Sequence, residues 1–137
     1  MLHDNWTMFV IMILSGLLST MNLWVDKWSD IRWSLNDIYM ALAMTGWMFF
    51  FMGLYYYNTI QITLGIGLLV ISFICIRSQL FVNIKQYVNG MIPHHSMAVF
   101  MTKQLLQKEL SLPKTLQELT NTIIANQEKE IAILKSL

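Results

Sequence analysis

The sequence contains little charge. Only 12% of its 137 residues are Asp, Glu, Lys or Arg, whereas 55% are hydrophobic. A soluble globular domain ordinarily carries about 25% charged residues, so this composition argues against an ordinary soluble domain. The single cysteine, Cys75, excludes an internal disulfide framework and a Cys-x-x-Cys metal site. The nine basic residues form no run, so neither a nucleic-acid partner nor an electrostatic switch on anionic lipid is indicated.

Three long runs of the chain have no charged residue at all. They cover residues 6–25, 38–57 and 60–76, and each is about the 17–25 residues that a membrane-spanning helix needs. The sequence therefore predicts a three-helix transmembrane region over residues 1–76, with the lipid bilayer as its partner. The residues before the first run include Asp4 and no Lys or Arg, which is unlike a secretory signal, so we expect this span to be retained.

The basic residues beside the spans predict their orientation. Lys27, Arg32, Arg77 and Lys85 all fall on one side of a three-span arrangement, and the other side has no Lys or Arg. Basic residues accumulate in cytoplasmic loops. We therefore expect the amino terminus outside and residues 77–137 in the cytoplasm or an equivalent interior compartment.

Residues 77–137 are more polar and have helical periodicity. Gly90 and Pro93 predict a break between helices at about 77–89 and 93–110, and Ser111 with Pro113 predicts a turn into a third helix at about 113–135. The last two helices should form an antiparallel hairpin, because neither is stable alone in water. The strips expected to bury one another are Ala98/Met101/Leu105 and Leu116/Leu119/Ile123.

The chemistry of this chain is concentrated in MIPHHSMAVFM, residues 91–101. The spacing places His94 and Met101 on one helical face, which we expect to be inward. Imidazole binds several transition metals, whereas thioether sulfur selects soft ions, so the mixed set indicates Cu(I) or Ag(I). The predicted ligands are Met91, His94, His95 and Met101, with Met97 in support and His94 the most important. The alternative is that these residues only pack.

Two polar residues of the last helix occupy its apolar stripe. Gln127 and Glu130 follow Leu116, Leu119 and Ile123 at helical spacing. Burying them without partners would be costly, so we expect one of them to accept a hydrogen bond from an imidazole N–H and to orient that histidine without binding the metal itself. The alternative is that the helix end frays and both groups reach water.

A methionine stripe runs along the second predicted span. Met40, Met44, Met48 and Met52 recur every four residues, so they lie close to one face of a helix. Such thioethers can relay a soft metal within the membrane. The alternative is ordinary packing, because methionine is apolar and adaptable.

The sequence resembles a known family, the domain of unknown function 305. The resemblance is carried by a Met-x-Pro-His-His motif, a methionine six residues later and a Gln-x-x-Glu-Ile signature. A subgroup with three transmembrane helices is also similar at His3, Tyr39-Met40 and Ile76-Arg77-Ser78-Gln79. The resemblance implies a ferritin-like helical fold and, for some members, copper or silver binding in metal tolerance. Leu134 stands where the family has a further methionine, so one thioether is missing. The motif residues here are Met91, Pro93, His94, His95, Met101, Gln127, Glu130 and Ile131.

Two functions remain open from the sequence. The first is a membrane-anchored Cu(I)/Ag(I)-binding protein for metal sequestration or tolerance, and the second is a structural or assembly protein whose helical tail oligomerises. In either case the fold is an all-α membrane protein with a cytoplasmic hairpin, a half-bundle that a homo-oligomer would complete. Enzymatic activity is not expected, because a di-iron centre needs Glu-x-x-His pairs that the hairpin sequence lacks.

Overall fold

The computed structural model describes residues 2–109 and 111–137, with side chains from Asn5 onward. His3 therefore lies outside the residues whose side chains are described. All regular secondary structure of the described residues is helical. Two short 3-10 helices, Met21–Trp24 and Trp28–Asp30, follow the first α-helix. The α-helices are α1 Leu2–Leu18, α2 Leu35–Tyr55, α3 Thr59–Ser78, α4 Ile84–Lys108 and α5 Lys114–Ser136.

Three segments are long and apolar enough to cross a membrane. They are Asn5–Trp24, Leu35–Tyr55 and Thr59–Ser78, in agreement with the three predicted runs. The first segment is not one continuous α-helix, since α1 ends at Leu18 and the 3-10 helix Met21–Trp24 follows.

The chain divides into two compact units. One contains Met1–Thr20 with Ser34–Val82, and the other contains Met21–Trp33 with Asn83–Leu137. The sequence analysis assigned residues 21–33 to the transmembrane region 1–76, partly in the first span and partly in the connection that follows it. The structure instead assigns them to the polar helical unit.

Glycines allow α2 and α3 to approach closely in the first unit. A Cβ atom added to Gly65 would lie 2.5 Å from the backbone nitrogen of Phe50, and one added to Gly53 would lie 2.6 Å from that of Ile62. Small residues at helix crossings are typical of membrane helices, whose association depends on close packing. The α2/α3 pair is therefore the tightly packed part of this unit.

Replacing Gly65 by Ala should destabilise the first unit by about 2 kcal/mol, because the new methyl group would meet backbone atoms that cannot move independently. Thermal unfolding of the purified protein in mild detergent would measure the effect. Gly67→Ala is the matched control, since a Cβ there has no neighbour within 4 Å, and this variant should be stabilised by up to about 1 kcal/mol because alanine is the better helix former. Equal losses in the two variants would contradict the proposed crossing.

The second unit is built on the α4/α5 hairpin, and its first helix differs from prediction. The predicted helices 77–89 and 93–110, with a break at Gly90, are wrong. The chain breaks earlier, where Gln79 and Phe81 have left-handed backbones with φ of 48° and 57°. The side chain of Asn83 then accepts a hydrogen bond of 2.9 Å from the backbone N–H of Gln86 and caps α4.

Pro93 lies inside α4, although the sequence placed it in a first helical turn. A proline within a helix costs about 3 kcal/mol, because it removes a hydrogen bond and crowds the preceding turn. Ile92 and Val99 are both almost fully buried on this helix, and burial of such side chains contributes about 1.5–3 kcal/mol each. Tertiary packing therefore keeps the helix continuous where the local signal predicted a boundary.

The buried face of α4 is also different from the predicted one. It consists of Ile92, Pro93, Ser96 and Val99, and Ser96 lies about 200° around the helix from His94. The predicted burial of the Ala98/Met101/Leu105 strip against α5 is wrong, because Met101 and Leu105 are exposed, as is Leu119 on the partner strip. Residues 21–33 instead cover the face of α4 that contains Ser96, through the contacts of Asp26 and Asp30 described below.

Candidate metal centre

A groove between α4 and α5 brings two of the predicted ligands together. Its volume is about 280 Å³, and its walls include Met91 and His95 from α4 with Glu130 from α5. Met91 and His95 are four residues apart, so they are neighbours on one helical face. The groove therefore presents a thioether and an imidazole side by side. Its other walls are Tyr87, Ile133 and Leu134.

The imidazole of His95 is held against a carboxylate. Its Nδ1 atom is buried and lies 2.8 Å from Oε2 of Glu130. This is ion-pair distance, although the N–H direction is not aligned for a hydrogen bond. The His95 side chain is 12% exposed and that of Glu130 is 48% exposed. Because Nδ1 faces the carboxylate, Nε2 is the nitrogen left for an added ligand.

The other two predicted main ligands lie on a different face. His94 and Met101 are exposed, so the expectation that they face a packed interior is wrong. The ring centres of His94 and His95 are 5.9 Å apart, but the two residues point about 100° apart around α4. The four-ligand set is thus divided into a Met91/His95 pair in the groove and a His94/Met101 pair on the surface. Met97 is half-buried and within about 60° of the surface pair.

The remaining predicted residues are placed less specifically. Gln127 is half-buried on α5, and none of the described contacts joins it to a histidine. In the second span Met40, Met44 and Met48 are 54%, 47% and 46% exposed, and Met52 is half-buried. The methionine stripe therefore lies on the outside of the first unit, where lipid would surround a single chain.

The groove offers a thioether and an imidazole beside a single carboxylate, that of Glu130. Across residues 2–109 and 111–137 there is no group of three or more His, Cys, Asp or Glu side chains placed to hold a metal ion. Hard divalent cations need several oxygen ligands, which the groove does not offer. The Met91/His95 pair is instead the donor combination that suits Cu(I) or Ag(I).

A buried polar cluster beside this groove was not predicted from the sequence. Asp30, in the second 3-10 helix, is 1% exposed. Its Oδ2 accepts a hydrogen bond of 2.6 Å from Oγ of Ser96 on α4, and its Oδ1 pairs with Nζ of Lys135 on α5. Burial raises the pKa of the carboxyl, but the hydrogen bonds from Lys135 and Ser96 outweigh it, so the pKa lies below its ordinary 3.8. The carboxylate of Asp30 therefore links its own 3-10 helix to α4 and to α5.

A second ion-pair group extends the cluster. Nζ of Lys103 lies 2.8 Å from Oδ2 of Asp26 and 3.0 Å from Oε1 of Glu128. The hydrogen bond to Asp26 contributes most to raising the pKa of Lys103, and the contact with Glu128 adds to it. Burial lowers the pKa but does not outweigh these contacts. The backbone N–H of Asp26 also donates to Oγ of Ser96 at 2.9 Å. The sequence indicated this cluster only through the spacing of Asp26 and Asp30, two carboxylates four residues apart. Solvent-exposed charges in a loop produce the same spacing.

The cluster and the groove share the same stretches of helix. Ser96 follows His95 directly on α4, and Glu128 lies two residues before Glu130 on α5. Contacts that hold Ser96 and Glu128 therefore hold the helical turns that carry His95 and Glu130. The short segment 21–33 acts as a support for the groove.

The fold and groove define a helical protein with three candidate membrane spans and a His/Met hairpin. The Domain of unknown function (DUF305) family matches residues 84–137, which correspond to α4 and α5. The chain belongs to this family. It is also 38% identical, over 97% of its length, to Uncharacterized protein L153 of Acanthamoeba polyphaga mimivirus, of which the match covers 92%. No solved structure matches the chain.

Proposed function

We propose that this protein is a membrane-anchored soft-metal protein that binds Cu(I) or Ag(I) in the groove between α4 and α5, for sequestration or transfer of the metal. The observation that carries the proposal is the placement of His95, with Nδ1 against Glu130 and with Met91 one helical turn away. A carboxylate this close to a ligating imidazole raises the basicity of the imidazole. Nε2 of His95 and Sδ of Met91 would hold the ion.

The proposed arrangement in the membrane follows the basic residues. Three apolar helices would anchor the chain, with the amino terminus outside and the His/Met hairpin in the cytoplasm or an equivalent interior compartment. Copper that enters such a compartment is kept as Cu(I) by its thiol reductants, which is the oxidation state that thioether ligands prefer. The methionine stripe Met40–Met52 would supply a soft-metal path only if another chain covered it.

A second candidate function is assembly through the exposed α4/α5 surface. Met101, Leu105 and Leu119 are 52%, 37% and 54% exposed, which leaves the predicted hairpin strips available to a second copy. A homo-oligomer would bury them, as amphipathic helices require. This function needs no metal, so metal content distinguishes it from the first.

Elemental analysis of the detergent-purified full chain after Cu(I) or Ag(I) loading would test the metal proposal. We expect one ion per chain, together with about tenfold weaker binding in Glu130→Gln, because loss of an outer partner typically costs 10–100-fold in affinity. Glu118→Gln is the matched control, since Glu118 is an exposed carboxylate of the same helix. Protein without bound metal, eluting as an oligomer, would reject the metal function in favour of assembly.

A further inference from the structure

A second and larger groove lies between the beginning of α4 and the end of α5, within the unit formed by residues 21–33 and 83–137. Its volume is about 480 Å³. Three cationic side chains line it, namely Arg32, Lys85 and Lys135. The rest of its surface is mostly apolar, contributed by Ile84, Val88, Ile92, Leu134 and Leu137. The groove thus combines positive charge with hydrophobic surface.

Two of the three cations have no counter-ion among the described residues. Lys135 is paired with Asp30, but no carboxylate of the described residues lies within 4.0 Å of Arg32 or Lys85. Nη1 of Arg32 donates to the neutral backbone carbonyls of Ser29 at 3.0 Å and Ile31 at 2.7 Å, which orients the guanidinium without neutralising it. The groove therefore contains two cations that no carboxylate of the described residues pairs with, which favours an anionic ligand.

The two unpaired cations lie close in sequence to the ends of candidate membrane spans. Arg32 lies three residues before α2 begins at Leu35, and Lys85 lies seven residues after α3 ends at Ser78. Trp28, in the same short segment as Arg32, is 86% exposed, and exposed tryptophans are typical of the membrane interface. The short sequence separation from the candidate spans and the exposed indole both favour a lipid as the ligand of the groove.

We propose that this groove binds one anionic phospholipid of the surrounding bilayer. The lipid phosphate would lie between Arg32 and Lys85, and the upper part of an acyl chain would cover Ile84 and Val88. Ile84 is 80% exposed, and its burial under an acyl chain would remove that apolar surface from water. The inference rests on the proposed membrane anchorage but not on metal binding.

The apolar wall favours a lipid over a free phosphate ion. A free anion would use only the cations and would leave the hydrophobic side chains of α4 and α5 in water. Arg32 and Lys85 are 53 positions apart in the sequence, so no basic run indicated such a site. The fold alone brings the two charges to one groove.

Native mass spectrometry of the detergent-solubilised full chain with phosphatidylglycerol and phosphatidylcholine at equal concentration would test the proposal. The wild type should retain one phosphatidylglycerol in preference to phosphatidylcholine. Replacing Arg32 and Lys85 together by Gln should reduce this preference by about thirtyfold, since each basic residue near an anionic lipid contributes about fivefold in affinity. Lys108→Gln with Lys114→Gln is the control, because it removes the same charge from exposed positions near the hairpin turn.

Several outcomes would overturn the proposal. Equal retention of the two lipids by the wild type, or an unchanged preference in the Arg32/Lys85 variant, would show that the groove does not select anionic lipid. Displacement of the lipid by equimolar inorganic phosphate would show a phosphate-ion site instead. If the double variant does not fold, Lys85→Gln alone should still weaken retention about fivefold. Cu(I) binding should be retained in all these variants, so failure of the lipid proposal is distinguishable from failure of the metal proposal.

Discussion

Replacing His95 by Ala should weaken Cu(I) binding by at least about 100-fold. His95 supplies the imidazole that lines the α4/α5 groove, and its Nδ1 lies 2.8 Å from Glu130. Loss of a bound donor should exceed the 10–100-fold cost of losing an outer partner. Competition against a colorimetric Cu(I) chelator, with the full chain in mild detergent, would measure the change. Met91→Leu should act in the same direction, because it removes the thioether but keeps the hydrophobic volume.

His94→Ala is the matched control for this result. His94 is exposed on a different face of α4, so its loss should change the Cu(I) affinity by less than about threefold. Met101→Leu is the corresponding control for Met91→Leu, since Met101 is 52% exposed. The reverse ranking, with His94 and Met101 dominant, would locate the site on the surface strip. Full Cu(I) binding in a variant with both His94 and His95 replaced by Ala would make the Met40–Met52 stripe the leading candidate site.

Replacing Asp30 by Ala should destabilise the second unit by about 3 kcal/mol. Asp30 is 1% exposed and accepts hydrogen bonds from Ser96 and Lys135. Removing one partner of a buried charged network leaves the others unpaired, which is the source of the large penalty. Urea unfolding can be followed by tryptophan fluorescence in a Trp6→Phe/Trp47→Phe background. The three tryptophans that remain, Trp24, Trp28 and Trp33, all lie within residues 21–33.

The control for this variant is Glu118→Ala, because Glu118 is an exposed carboxylate and should contribute less than about 0.5 kcal/mol. The pH dependence provides a second measurement. The pKa of Asp30 is lowered from 3.8 by folding, so its stabilisation is present above about pH 4 and declines as the pH falls through the folded pKa. The stability difference between wild type and Asp30→Ala should therefore narrow in acid. A difference independent of pH would show that the Asp30 charge does not contribute.

Part of the candidate site was predictable from residue spacing. A polar residue in the apolar stripe of α5 indicated Glu130 as a partner for a histidine, whereas the pairing of Met91 with His95 on one face became evident only because α4 continues through Pro93. The structure places Glu130 beside His95. The sequence could not predict which histidine faces the groove. Residue spacing defines the angle between two side chains around α4, but it does not show which side of the helix other segments cover. The predicted choice of His94 as the inward residue was wrong for this reason.

The helix boundaries illustrate the same limit. Gly90 and Pro93 are genuine local signals for a break, yet α4 continues through both. The actual break occurs at Gln79 and Phe81, two residues with no strong turn preference that adopt left-handed backbones. Burial of Ile92 and Val99 on either side of Pro93 offsets the local cost of the proline. Local preference is a weak guide wherever tertiary packing contributes more free energy.

The sequence by itself determined the three apolar segments, the polar hairpin and the donor chemistry of residues 91–101, because length, hydropathy and residue type are local properties. Only the tertiary structure decided that residues 21–33 belong to the polar helical unit and contact Ser96 on α4. That contact buries the face opposite His94 and leaves His95 in the groove with Glu130. The physical reason is the carboxylate of Asp30, whose burial requires donors from both α4 and α5, and those donors lie 66 and 105 residues away along the chain.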